Sequence, residues 1–331
     1  MTRSLFNALN VLKVFGAALV VASHYAGQYF GISFYSYGTG CFFVVTGYYA
    51  LNWERSRGTY YVMKRLVRLY PAFLLAVLAY LITQGIDFSE WPRLIGHHLT
   101  FLLTTPDRAT AFALNPPFWS LPVFFTFFVL IALLPRFIPK GWQVLLMIFL
   151  AGGALYLELP QWREGYIELW AFPLHLYAFW LGGWLGHRAH HQPRKQHVGH
   201  SWVAGVLTVV IVVCGFFHPE LTNMLFWGES FLYRGGMVLL YGALLWAVIH
   251  SPWLVHEIPV LTFLGTISFG IYLFHNLPVY WFSSVAGGLG VLISLGISLL
   301  LAWLSWHFFE QPLQKWCKPR LAKLYASKEK T

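Results

Sequence analysis

With 331 residues, 58% of them hydrophobic, 19% aromatic and only 10% charged, the chain carries more apolar surface than a soluble domain can hide. A formal net charge of +10 on so few charged residues reads as loop charge of a membrane protein, and nucleic acid is excluded as a partner. Cys41, Cys214 and Cys317 are scattered without disulfide or metal-ligand spacing, so no metal is expected.

Runs near the roughly 20 residues needed to cross hydrocarbon predict an all-α polytopic bundle of about ten transmembrane helices. They lie near 7–27, 37–53, 69–85, 117–134, 142–158, 170–187, 201–217, 231–250, 262–282 and 289–308, with boundaries soft by a few residues. The first run resembles a signal peptide. Lys13 interrupts its core and no small-x-small site follows, so it is expected to be retained. Lys13 and His24 stand eleven positions apart in it. That spacing is close to three helical turns, which places both on one face about 16 Å apart along the axis. Polar groups at such depth are costly and mark a pathway or reaction centre.

The second run, GTGCFFVVTGYYA, has Gly38, Gly40 and Gly47 for close helix approach. After it, YYVMKRLVRLYP sets Lys64, Arg65 and Arg68 on neighbouring helix faces before Pro71, which is expected to interrupt the helix. Such a turn suits the phosphates of a ligand or of anionic lipid headgroups equally well. The longest extramembrane stretch, about 86–116, carries His97 and His98 and ends in NPPFWS; it is expected to fold over the outer face. In the ninth run, TISFGIYLFHNLP, Ser268, Tyr272 and His275 project to one side. His275 falls in the outer half, at the level of His24, so the two imidazoles could meet; taken singly, a histidine in such a run is more often a satisfied core residue than a catalyst. The last run ends in WHFFEQP, where Glu310 precedes a helix-stopping Pro312 and caps against a basic tail.

An even count of spans puts both termini on one side. With that side cytoplasmic, all but five of the 22 basic residues are internal: Arg93, Arg108 and Arg163 fall outside, while Lys13 and Arg234 lie within spans. This is a strong positive-inside pattern. Residues 1–310 form a single transmembrane domain and 311–331 a basic cytoplasmic tail.

Taken in order, these motifs resemble the integral-membrane acyltransferase 3 family over nearly the whole chain. The basic residue, ten positions and histidine are matched by Lys13 and His24. FF-x-x-S-G is matched by Phe42–Gly47, K-R-x-x-R-x-x-P by Lys64–Pro71 and W-S-L by Trp119–Leu121. The S-[YF]-x-I-Y-L-x-H-x-P run is matched by Ser268–Pro278 with one extra residue, and E-x-P by Glu310–Pro312. Two departures stand out. Lys13 replaces the usual arginine and loses its planar fork. The glutamate of W-S-L-x-x-E is replaced by Phe124, for which Glu168 or Glu229 could substitute, although both also read as solvated loop charges.

The resemblance implies an O-acyltransferase of the bacterial cytoplasmic (inner) membrane. It would move an acyl group, acetyl foremost, from cytoplasmic acetyl-CoA to a hydroxyl of an envelope saccharide or lipid-linked glycan at the outer face. Lys64, Arg65 and Arg68 would meet the nucleotide phosphates, and the thioester arm would pass Lys13 towards His24, whose neutral form is the general base. Ser268, Ser120, Tyr272, a protonated His275 and Arg234 are available as oxyanion donors, with Trp119, Ser120, Arg234 and Glu168 on the acceptor side. Cys41 could carry the acyl group transiently or be a small buried residue. Relatives that work on envelope polymers carry an appended outer domain; here transfer would be direct or completed by envelope-polysaccharide assembly machinery. A transporter or flippase is the alternative class. Against it, the halves show no internal symmetry and no intramembrane carboxylate suits ion coupling.

Overall fold

A computed structural model of the chain describes residues 3–52, 58–100, 112–133, 146, 172–191, 196–224, 231–253, 256–285 and 287–328. No strand occurs among them. The helices are α1 (Arg3–Phe30), α2 (Gly38–Asn52), α3 (Thr59–Thr83), α4 (Trp91–Leu99), a 3₁₀ turn (Pro116–Trp119), α5 (Ser120–Leu133), α6 (Phe172–His191), α7 (Val198–Phe216) and α8 (His218–Met224). They continue with α9 (Phe231–His250), α10 (Pro259–Phe274), α11 (Leu277–Phe282), α12 (Gly287–Ser305), a π turn (Trp306–Glu310) and α13 (Gln311–Lys328).

Among the described residues, six stretches are long and apolar enough to cross a membrane: Leu5–Phe30, Thr59–Thr83, Pro116–Leu133, Val198–Phe216, Leu232–His250 and Gly287–Tyr325, with Gly38–Leu51 and Pro259–Phe274 as shorter apolar helices. The protein is a helical membrane protein. α7 shows why lipid is required: Trp202, Val206, Val209 and Val213 stand exposed along it, a stripe that water would not tolerate. The expected span at 142–158 lies outside the described residues, apart from Leu146.

Three expectations are corrected by the backbone. The ninth run is two helices. Pro278 has no N–H for the carbonyl of Phe274 and its ring would clash there, so α10 stops at Phe274 and α11 restarts after a turn at His275–Asn276. Pro71, by contrast, lies inside an unbroken α3, whose burial of Ala72, Phe73, Ala76, Val77, Tyr80 and Leu81 offsets the lost hydrogen bond. Pro312 does not stop its helix either. It occupies the first turn of α13, where a missing N–H costs little, and the chain runs from α12 through the π turn into α13.

The chain divides into two compact units, with the boundary between Ser268 and Phe269 inside α10. In the first, α2 packs against α1, α6 and α9. Glycines set that packing. A β-carbon at Gly47 would overlap the carbonyl of Phe179 on α6, and one at Gly182 would overlap the carbonyl of Val44 on α2, so the two backbones touch through reciprocal small residues. Gly38 meets α1 in the same way, since its β-carbon would sit 3.0 Å from the Gly16 carbonyl oxygen. Gly40 instead makes room for the ring of Tyr37, 2.7 Å from where its β-carbon would be.

The link between α1 and α2 is tied down along its length. Tyr35 N–H donates to Gly215 O at 3.0 Å, Tyr233 Oη to Tyr35 O at 2.5 Å and Tyr241 Oη to Ser36 O at 2.6 Å. These contacts hold Tyr37 at φ 49°, a left-handed conformation a tyrosine rarely adopts.

In the second unit α3 is central and packs against α4, α5, α11, α12, the π turn and α13. The turn at His275–Asn276 is enclosed by donors. Tyr80 Oη and Asn115 Nδ2 both donate to Leu273 O, at 3.2 and 3.1 Å, and Ser298 Oγ donates to His275 O at 3.4 Å. Asn276 Nδ2 donates to Asn115 Oδ1 at 2.9 Å. Leu273 O and His275 O, the carbonyls on either side of Phe274 at the break, are thereby satisfied by protein donors.

Candidate active site

α1 is continuous from Arg3 to Phe30, so Lys13 and His24 share one unbroken helix and one face of it. Lys13 Nζ donates to Asn10 Oδ1 at 3.1 Å. It also lies 5.7 Å from the ring centroid of Phe6 and 5.3 Å from that of Tyr49 on α2, within range for cation–π attraction. An amide and two rings thus meet the ammonium inside an apolar helix pair. His24 is half-buried, immediately before the edge-to-face pair Tyr25–Tyr29. Cys41 is buried where α1 meets α2, its thiol on Leu12 O at 3.5 Å, the setting of a small packed residue.

Arg234, near the start of α9, stacks its guanidinium over Tyr37 at 5.5 Å. Tyr37 Oη is hydrogen-bonded at 2.6 Å to Nδ1 of His175 on α6, and Phe43 lies against the same imidazole. Three segments far apart in the chain therefore converge on one group, a buried phenol and imidazole under a half-buried guanidinium. Ser268, also in the first unit, donates to Gly265 O at 3.0 Å, which uses its only proton within its own helix.

In the second unit the three basic residues of α3 part company. Arg65 is held between the rings of Tyr61 and Phe128, at 5.2 and 5.4 Å. Arg68 acts electrostatically on the carboxylate of Glu310, which the π turn buries and to which Ser305 Oγ donates at 3.0 Å. π turns recur at functional sites because they swing a side chain out of the ordinary helical register. Trp119 and Ser120 are buried at the 3₁₀–α5 junction. Tyr272 Oη donates to Pro117 O and lies 2.7 Å from Ser120 Oγ, which must then be the donor to it. His275, fully buried, donates from Nδ1 to Tyr272 O at 2.8 Å. Neutral His275 consequently keeps Nε2 as an acceptor, and would donate to an oxyanion only as imidazolium.

A family profile described as an acyltransferase domain matches residues 6–308. The chain belongs to the acyltransferase 3 family. Among curated proteins, this chain is similar to the "Putative peptidoglycan O-acetyltransferase YrhL" of Bacillus subtilis (strain 168), at 34% identity over 118 residues. That similarity covers 32% of this chain and 17% of the relative, so the chain spans a small part of the relative's length. No solved structure matches it.

The fold thus groups Lys13, His24, Cys41, Arg234 and Ser268 in the first unit, and Lys64, Arg65, Arg68, Trp119, Ser120, Tyr272, His275 and Glu310 in the second. Phe124, where the family motif has glutamate, lies in the aromatic run of α5 beside Phe128. Glu168 and Glu229 lie outside the described residues. No cluster of metal-ligating side chains occurs among the described residues. Sequence reasoning missed Asn10, Tyr37 and His175. An asparagine three positions before an intramembrane lysine was a readable signal; the Tyr37–His175 pair, 138 residues apart, left none.

Proposed function

We propose that this acyltransferase moves an acyl group, acetyl foremost, from acetyl-CoA on the cytoplasmic side to a hydroxyl of an envelope saccharide at the outer face of the inner membrane. The chain would cross ten times with both termini cytoplasmic. One observation carries the reading: an unbroken helix bears a secured ammonium and, three turns on, a half-buried imidazole on the same face. In a family of acyltransferases that is the pairing a thioester and an incoming hydroxyl need.

In the reaction, the saccharide oxygen bonds to the thioester carbonyl carbon while His24 takes the hydroxyl proton. The tetrahedral intermediate then expels the thiolate, which recovers that proton from His24, leaving an ester and free thiol. A positioned base contributes about 10² to 10⁴ in rate. Lys64 and Arg68 meet the donor's phosphates, with Glu310 and Ser305 fixing Arg68 and the aromatic pair fixing Arg65. Lys13 meets the donor arm. Arg234, carried by Tyr37 and His175, is a candidate for the acceptor in the first unit; Trp119 and Ser120 are candidates for it in the second, and Glu168 remains a candidate as well. Ser268 and Tyr272 spend their protons on backbone carbonyls, so their part is to hold α10 and the 3₁₀ turn in place around His275.

The test is transfer of a labelled acetyl group from acetyl-CoA to envelope saccharide by the purified, reconstituted protein. Native protein should yield a covalent product, and His24→Ala should lose it while unfolding at the native temperature. Solute movement without covalent product would refute the reading and favour a transporter.

A further inference from the structure

Asn10 is 1% exposed, yet it is an amide in the middle of an apolar helix. Its orientation follows from chemistry. The Lys13 ammonium has only donors to offer, so the atom facing it at 3.1 Å must be Oδ1. Nδ2 then points the other way, buried and without an acceptor among the described residues. An unsatisfied buried amide nitrogen costs stability, and a leucine of similar size at position 10 would not carry that cost.

The amide is also walled in. Gly265 of α10 faces it so closely that a β-carbon there would stand 2.7 Å from Asn10 Cβ and 2.9 Å from both Cγ and Oδ1. Asn10 therefore has little room to rotate, and its oxygen is fixed on the side of α1 where Lys13 emerges. Phe6 and Tyr49 attract the ammonium without prescribing a direction, because cation–π attraction tolerates lateral displacement. The Asn10 hydrogen bond adds a directional contact.

We infer that Asn10 is a positioning residue for acyl transfer: its amide oxygen, backed by the bare backbone of Gly265, fixes where Lys13 presents its charge to the acyl donor. The inference rests on the proposed role of Lys13. It assigns to Asn10 no contact with donor or acceptor, only with the ammonium.

The test uses the full chain in nanodiscs, with acetyl-CoA as donor, and reads KM for the donor, kcat and the unfolding temperature. Asn10→Leu should raise donor KM about tenfold, as expected for losing a hydrogen bond to a charged group, while the unfolding temperature stays level, because relief of the orphaned Nδ2 offsets the acceptor that Lys13 loses. Asn10→Asp, which keeps an acceptor oxygen in the same place, should restore KM to within about threefold of native. Lys13→Met should raise KM at least as far, and the double variant should be no worse than Lys13→Met alone, because the two residues act through one contact. If Asn10→Leu does not fold, Asn10→Ala is read in its place. An unchanged KM, multiplying losses in the double variant, or a loss accompanied by a lower unfolding temperature would each overturn the positioning role. An unchanged KM in Lys13→Met would instead overturn the reading of Lys13 on which it rests.

Discussion

The contact between α2 and α6 allows the sharpest numerical prediction. Replacing Gly47 by alanine places a β-carbon 2.6 Å from the carbonyl carbon of Phe179 and 2.8 Å from its Cα, besides overlapping its oxygen. The obstacle is backbone on both sides, so no rotamer change relieves it. The helices must separate by about 1.5 Å to bring that oxygen out to ordinary contact, and a gap of that size forfeits about half or more of each dispersion contact across it. Phe43, Val44, Tyr48, Leu51, Phe179, Trp180 and Leu181 are all buried along or beside this seam. The loss should reach the upper end of the overpacking range, about 3 kcal/mol, or roughly 6–12 °C in unfolding temperature. Gly205→Ala on α7 is the matched control: nothing lies within 4 Å of its β-carbon, so it should be neutral or slightly stabilising. Thermal unfolding of the two variants in the same detergent decides the matter. A Gly47→Ala protein as stable as native would show that α2 and α6 are not in backbone contact.

Three further outcomes are expected. Tyr272→Phe leaves the Pro117 carbonyl and the Ser120 hydroxyl without their buried partner, and should cost about 1–3 kcal/mol in thermal or denaturant unfolding. Arg65→Ala should lower the unfolding temperature through loss of packing between Tyr61 and Phe128, whereas Lys64→Ala should leave it unchanged and raise donor KM; equal effects on stability would refute the division. Ser305→Ala removes the hydroxyl donor to the Glu310 carboxylate and should cost about 1–3 kcal/mol, with donor KM rising if Arg68 shifts alongside.

Much of the architecture was legible because lipid imposes a length on apolar runs. The runs at 37–53, 117–134 and 231–250 coincide closely with α2, the 3₁₀–α5 stretch and α9. Prolines were the weak point, since their effect depends on what surrounds them. Pro71 is carried by the buried face of α3, Pro312 falls in a first turn, and only Pro278 breaks its helix. Gly47 was read correctly as a close-approach residue, but nothing in the chain named Phe179 as what it approaches. At the candidate site, Lys13 and His24 were visible as polar residues within an apolar run. The Tyr37–His175–Arg234 group was not, because each member is unremarkable in its own segment and only the tied-down link from α1 to α2 gathers them. The strained φ of Tyr37 follows from that gathering and has no glycine to announce it.

The turn at His275–Asn276 behaves as a patch of internal solvent. Two donors on Leu273 O, one on His275 O and the imidazole on Tyr272 O take over what water would do in a soluble protein. Such a patch cannot travel with the chain. Inserting or deleting one residue on either side would move the exposed carbonyls past donors anchored on other helices, so length changes that surface loops absorb would be lethal to folding here.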